Sequence, residues 1–341
     1  MTTTQQPHMS GPSGKARTII ITGGSAGIGY GCAAAILSSR DGPWHVVVAS
    51  RDAGRAQAAV DRLAGAARTG HRIEAVPLDL GSLASVRTFA AELTDRLASG
   101  GLPPLHGVVC NAGVQAGTTM TVTADGFEST FGVNHLGHFV LVNELLPVLR
   151  PSSRVVVVAS DTHDPAMKTP VPDPAWNNAY ALARGELGPA AASDKPFASG
   201  QRRYSTSKLA NIYFTYALAR RLPAGVTANA YNPGLVLGTD LQRDAAAPVR
   251  FVSKQVLPRL RPLVRRIVSP NVRTVQESGE ALAWLVTAPE LAGTTGRYFD
   301  GRQAIRSSHE SYDTARAEAL WNDSVALTAR AGSATSQRST T

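Results

Sequence analysis

Cysteine is nearly absent: Cys32 and Cys110 are the only two in 341 residues. That excludes a disulfide scaffold and a zinc site built from a cysteine cluster, and no metal is expected at the candidate site. Long apolar runs are also lacking. The longest, such as Val155 to Ala159, fall far short of the ~20 residues that cross a bilayer as a helix. The N-terminal MTTTQQPHMSGPSGKAR has no apolar core of the kind a secretion signal carries. These absences predict a cytoplasmic protein with reduced thiols and no transmembrane segment.

Acidic charge is in short supply, with 25 Asp and Glu against 34 Lys and Arg and a net charge of +9. The excess is local. Between Asp240 and Val275 eight basic residues (Arg243, Arg250, Lys254, Arg259, Arg261, Arg265, Arg266 and Arg273) meet two acids, which leaves +6 there. No RNA-binding motif or basic region with heptads accompanies them, so no nucleic-acid partner is expected. The segment reads as a solvated face or a substrate lid, and a peripheral membrane contact through 250–268 stays open.

What is present is an ordinary globular balance, 43% hydrophobic and 17% charged. Residues 1–16 and 331–341 are polar and read as disordered tails. Between them, over 17–330, strand-like and helix-like segments alternate. Seven strands are expected at Thr18–Thr22, His45–Ser50, Ile73–Leu78, Gly107–Cys110, Arg154–Ala159, Val226–Tyr231 and Gly296–Phe299. Helices are expected over Asp52–Ala67, Asp125–Leu149, Tyr204–Leu222 and Val275–Thr287, and after the first and third strands. Continuously apolar strands suit burial on both faces. The fold class predicted is therefore α/β: a single domain with a doubly wound, mostly parallel, seven-stranded sheet of the Rossmann type. Two long segments, 161–203 and 239–273, interrupt the rhythm after strands five and six. Both should overhang the crevice at the carboxyl ends of the strands, where open parallel sheets bind ligands.

Three features carry chemistry. The first is Thr22-Gly23-Gly24-Ser25-Ala26-Gly27-Ile28-Gly29, between a strand and a helix, as a dinucleotide phosphate turn requires. Gly23, Ser25, Gly27, Ile28 and Gly29 are its candidate cofactor contacts. The same residues match the G-x-S-x-G elbow of hydrolases, which leaves a Ser25 nucleophile as a competing reading. The second is Arg51 at the end of strand two, where a carboxylate would select NAD and an arginine matches a 2′-phosphate. The third is the pair Tyr204 and Lys208, one helical turn apart. An ammonium ~4 Å from a phenol contributes roughly 4 kcal/mol at an effective dielectric near 20, enough to lower the phenol pKa by up to ~3. His135 and His138, three apart, read as packing or hydrogen-bonding groups. His163 reads equally as a pocket or a surface residue. Tyr213, Phe214 and Tyr216 read as core.

TGGSAGIG, CNAG (Cys110–Gly113), NHLGHF (Asn134–Phe139), VVVVAS ending at Ser160, YSTSKLAN (Tyr204–Asn211) and NPG (Asn232–Gly234) occur in the order seen in short-chain dehydrogenase/reductases. The resemblance covers roughly Arg17 to Gly301, and WHVVVASRD and TADGFESTFGVNHLGHF look most like the retinol-dehydrogenase and protochlorophyllide-reductase branch. It implies that Tyr204 is the acid/base and that Ser160 donates to the reacting oxygen. Lys208 would bind the nicotinamide ribose and lower the Tyr204 pKa, and Asn134 would hold a helix distortion and a water. Asp79 and Leu80 would lie by the adenine, Asn111, Ala112 and Gly113 against its ribose, and Pro233 and Gly234 beside the nicotinamide. Thr239 would meet the carboxamide.

The chain departs from the family in three places. Ser160 and Tyr204 are unusually far apart, Leu235–Gly238 separates Pro-Gly from Thr239, and Leu235 stands where protochlorophyllide reductases have a cysteine. The implied function is NADP(H)-dependent interconversion of a ketone or aldehyde with an alcohol on a bulky, largely apolar substrate, with tailoring of a secondary metabolite one setting. Alternatives are a light-dependent double-bond reductase, a non-catalytic NADP-binding regulator and a serine hydrolase. The partner expected is a small carbonyl or alcohol. A homodimer pairing through 125–149 and 204–222 stays open.

Overall fold

The computed structural model describes residues 14–115, 117–236 and 271–338. Strand β1 (Arg17–Thr22) lies between β2 (Trp44–Ser50) and β4 (Leu105–Cys110), parallel to both. Outward from β2 comes β3 (Arg72–Pro77). Outward from β4 come β5 (Arg154–Val158), β6 (Thr227–Asn232) and β9 (Tyr298–Asp300), all parallel. An eighth strand, β10 (Gln303–Ile305), runs antiparallel to β9 at the edge. The sequence expectation of seven strands missed it because its three residues are exposed and carry no apolar pattern. A separate two-residue pair joins β7 (Leu235–Val236) to β8 (Val272–Arg273).

The first strand shows why this sequence makes a two-faced sheet. Side chains alternate between faces, so Ile20 packs with helices α3 (Leu83–Ala98) and α5 (Gly137–Leu145). Ile19 and Ile21 pack on the other side with α1 (Gly27–Ser38) and α8 (Val275–Thr287). All three isoleucines are fully buried, each worth roughly 1.5–3 kcal/mol of burial. Because the chain leaves β1 towards β2 and β3 on one side and continues to β4, β5 and β6 on the other, a crevice opens beyond the ends of β1 and β4.

Helix α2 (Ala53–Ala66) follows β2, capped by the Asp52 carboxylate on the Arg55 amide. The helix expected over Asp125–Leu149 is instead composite. It starts at α4 (Ser129–Phe131), opens into a π-helical turn at Gly132–Leu136 and resumes as α5. The Glu128 carboxylate accepts from Thr130 and Phe131, which sets the later start. Helix α7 runs over Pro196–Ala219, beginning earlier than the expected Tyr204. Segment 161–203 is not structureless: it carries short helical turns and α6 (Ala179–Ala183), tied down by the Arg202–Asp194 ion pair. Of the segment 239–273, residues 239–270 lie outside the described residues.

Helix α9 (Thr314–Arg338) extends through 331–338, which the composition had assigned to a loose tail; alanine, serine and glutamine there are compatible with continuing the preceding helix. It covers α5 and α7: Trp321 stacks at 6.0 Å on Phe214 and 5.0 Å from Phe139, and the Ser324 hydroxyl lies 2.9 Å from His135 Nε2. No helix among the described residues is long and apolar enough to cross a membrane.

Candidate active site

The glycine turn after β1 has the shape its residues demand. Gly27 sits at φ +54°, a left-handed conformation costly for other residues. A Cβ on Gly29 would fall 2.6 Å from Asn111 Nδ2 and 2.7 Å from the Gly23 carbonyl oxygen, so only hydrogen fits. Helix α1 begins here with Ala26 as its N-cap, no side-chain cap and no acidic residue in the first turn. Its first amides and the positive end of its dipole are left for an anion, which is the fit a nucleotide pyrophosphate requires.

Thr22, which motif reading passed over, ties this turn to the next loop. Its Oγ1 accepts from the amides of Asn111 at 2.9 Å and Ala112 at 3.0 Å, and lies 2.9 Å from His138 Nε2. His138 is a buried strut, its pKa lowered to about 4 chiefly by burial. Asn111 Nδ2 returns a 2.8 Å bond to the Thr22 carbonyl. A threonine ending a buried apolar strand was the available signal.

A cavity of about 640 Å³ runs from this turn across the ends of β1, β4 and β5. Gly23, Ser25, Gly27, Ile28, Asn111, Ala112, Gly113, Asp79 and Leu80 line it, as do Pro233 and Gly234. Arg51 lines one end, with Arg55 one helical turn along. Arg55 is engaged with Asp52 at 2.8 Å. The Ser25 hydroxyl is 3.1 Å from that of Ser50, a partner unable to act as the base a nucleophilic serine needs. Thr239 lies outside the described residues.

At the other end stand Ser160, Tyr204 and Lys208. Asn134, in the π-helical turn, braces them. Its Oδ1 accepts from the Val114 amide at 2.8 Å, and its Nδ2 donates to the Val114 carbonyl at 2.9 Å and to Ser207 Oγ at 3.0 Å. Ser207 Oγ in turn donates to the Tyr204 carbonyl at 2.7 Å. Single π-helical turns recur at functional sites, and this one aims Asn134 at the helix that carries Tyr204 and Lys208.

The electrostatics correct one expectation. The Tyr204 phenol lies above its ordinary range, not below it. Burial raises the phenol, the nearby Asp161 raises it further, and hydrogen bonding with Ser160 opposes both. Lys208 Nζ is 5.4 Å from the Tyr204 ring centre, and burial lowers its own pKa to about 8. Both groups are desolvated, and burial opposes the charged form of each, which spacing alone does not report.

Asp161 was missed altogether. It is buried, lines the cavity and accepts from Ser160 Oγ at 3.2 Å. His163 is neither pocket nor surface. Its Nδ1 contacts the Ser160 carbonyl at 2.6 Å and its Nε2 accepts from the Ser308 amide at 3.0 Å.

A parallel α/β sheet, a phosphate-fitting glycine turn and a serine, tyrosine and lysine at one cavity define a Rossmann-type oxidoreductase. The short chain dehydrogenase family matches residues 17–170, and the AcuH dehydrogenase domain matches 241–334. Retinol dehydrogenase 14 of Mus musculus is 35% identical over 324 residues, covering 91% of this chain and 85% of its own. Protochlorophyllide reductase B of Hordeum vulgare is 34% identical over 326 residues, covering 90% and 78%. A solved structure from Mycobacterium paratuberculosis, 28% identical, superposes with a TM-score of 0.62 over 93% of this chain and 95% of that one. The chain belongs to the short-chain dehydrogenase/reductase family, on the branch that includes these retinol dehydrogenases.

Proposed function

We propose that the protein is an NADP(H)-dependent reductase that converts a ketone or aldehyde on a bulky, largely apolar substrate into an alcohol. One observation carries this reading: a single cavity joins the glycine turn and Arg51 at one end to Ser160, Tyr204 and Lys208 at the other. The nicotinamide, when bound, supplies the hydride. Arg51 is the group placed to hold a 2′-phosphate.

The chain's own residues then manage charge and proton. As hydride adds to the carbonyl carbon, negative charge grows on its oxygen, and the hydroxyls of Ser160 and Tyr204 meet it as donors. A phenol kept protonated by burial is in the state from which it donates a proton to the reacting oxygen. Lys208, with a pKa near 8, is largely cationic at pH 7 and offsets the charge left on the phenolate oxygen. Asn134 positions the Tyr204 helix through Ser207.

Ala166, Met167, Pro170, Val171, Leu235 and Val236 are apolar residues of the cavity wall; the first four come from the segment after β5, where Lys168 and Thr169 line the cavity between them. They support a bulky apolar substrate. Oxidation of NADPH measured across aromatic, steroid, retinoid and polyketide carbonyls tests this. Turnover of one of these classes and poor turnover of acetone is the expected result. Binding of NADPH with no turnover of any carbonyl would leave a regulator, and turnover only under illumination would favour double-bond reduction.

A further inference from the structure

Asp161 follows Ser160 at the end of β5, in a 3₁₀ turn (Asp161–His163) whose N-cap is Ser160 itself. It is 8% exposed, yet it lines the same cavity as Tyr204. Its Oδ1 accepts from Ser160 Oγ at 3.2 Å, long for a bond to an ionised carboxylate. No cation among the described residues is within ion-pair distance of it. Arg273, on β8, spends its guanidinium on Asp300 at 2.8 Å and on the Asn232 carbonyl at 3.1 Å. Around the carboxylate lie Asp300 and Tyr298 on β9, Tyr204 on α7, and Ser160 at the end of β5. Burial raises the Asp161 pKa; the Ser160 bond, its own backbone amide and Arg273 pull against that rise, and Asp300 adds to it.

A largely buried carboxylate with no ion-pair partner among the described residues, beside a reacting carbonyl, works against reduction in two ways. It repels the negative charge developing on the oxygen, and it draws the Ser160 proton to itself and away from the substrate. A donor on the substrate would relieve both.

We propose that Asp161 is a specificity-determining residue whose carboxylate receives a hydrogen-bond donor, a hydroxyl or an ammonium, carried next to the reacting carbonyl. The substrate class is then an α-hydroxy or α-amino ketone or aldehyde set in an apolar frame. This rests on the carbonyl-reduction reading above and narrows it.

Two probes of equal size isolate the effect: 2-hydroxyacetophenone and propiophenone, which differ in a hydroxyl against a methyl. Their kcat/KM ratio is measured in the wild type, Asp161→Asn and Asp161→Ala. Where neither probe is itself turned over, their inhibition constants against a reduced panel carbonyl give the same ratio. The hydroxyl preference should fall by roughly tenfold or more in Asp161→Ala, as loss of a hydrogen bond to a charged group requires, and partly in Asp161→Asn. Each ratio comes from one protein preparation, so a misfolded fraction cancels. A ratio unchanged in Asp161→Ala overturns the proposal while carbonyl reduction stands. If no carbonyl is turned over in a Tyr204-dependent way, the parent reading fails and this one falls with it.

Discussion

Lys208 Nζ donates a 3.0 Å hydrogen bond to the carbonyl oxygen of Val158, 5.4 Å from the centre of the Tyr204 ring. The bond fixes a buried ammonium at the last residue of β5, two residues before Ser160. Burial lowers its pKa from 10.5 to about 8. Between those values the folded protein has released a proton that the unfolded chain still holds, so this group's contribution to stability rises with pH across the window.

Cofactor binding should move the opposite way, because it uses the ammonium. Dissociation constants for NADPH and melting temperatures at pH 7, 8.5 and 9.5 check this against Lys208→Met. In the wild type, affinity should weaken above about pH 8 while its melting temperature gains on that of the variant. In Lys208→Met, affinity should be weak and nearly flat. Parallel pH profiles in the two proteins would contradict the assignment.

Arg51→Asp should exchange the cofactor preference. Losing a charge-assisted bond to a phosphate costs about 1.5–3 kcal/mol, so NADPH affinity should drop roughly tenfold to a hundredfold, with NADH affected far less. Titration of both nucleotides decides it. Arg55, already held by Asp52 at 2.8 Å, should not substitute, and an unchanged preference would remove the 2′-phosphate role from Arg51.

Asn134→Ala removes three hydrogen bonds at once and strands the half-buried Val114 amide and carbonyl. Each unsatisfied group costs about 1–3 kcal/mol, so the melting temperature should fall by several degrees. The Tyr204 helix also loses its brace, and kcat should fall more than the NADPH affinity. Thermal melts and saturation kinetics together test this. A stable variant with wild-type kcat would show that the π-helical turn is not part of the site.

Where residues repeat with the period of a strand or helix, the sequence was readable. Ile19, Ile20 and Ile21 are apolar because both faces of β1 are covered, and that pattern placed the sheet and the glycine turn correctly. Strand β10 was not legible because its three residues are too few and too exposed to make a pattern, and residues 331–338 of α9 because they are mostly small and polar. Tyr204 and Lys208 share a cavity as their spacing implied, but spacing could not report how deeply both are buried, and burial reverses the sign of the tyrosine's pKa change. Thr22 and Asp161 escaped notice because their importance lies in contacts with Asn111 and Ser160 that only the folded sheet creates.

The central claim is that the Tyr204 hydroxyl gives its proton to the reacting oxygen, and Tyr204→Phe tests it most directly. The variant keeps the ring, the fold and the glycine turn, so NADPH should bind with near wild-type affinity. Single-turnover reduction of the best panel carbonyl should slow by about a hundredfold or more, the usual loss when a general acid is removed. A rate within about threefold of the wild type, with the cofactor bound, would contradict the mechanism.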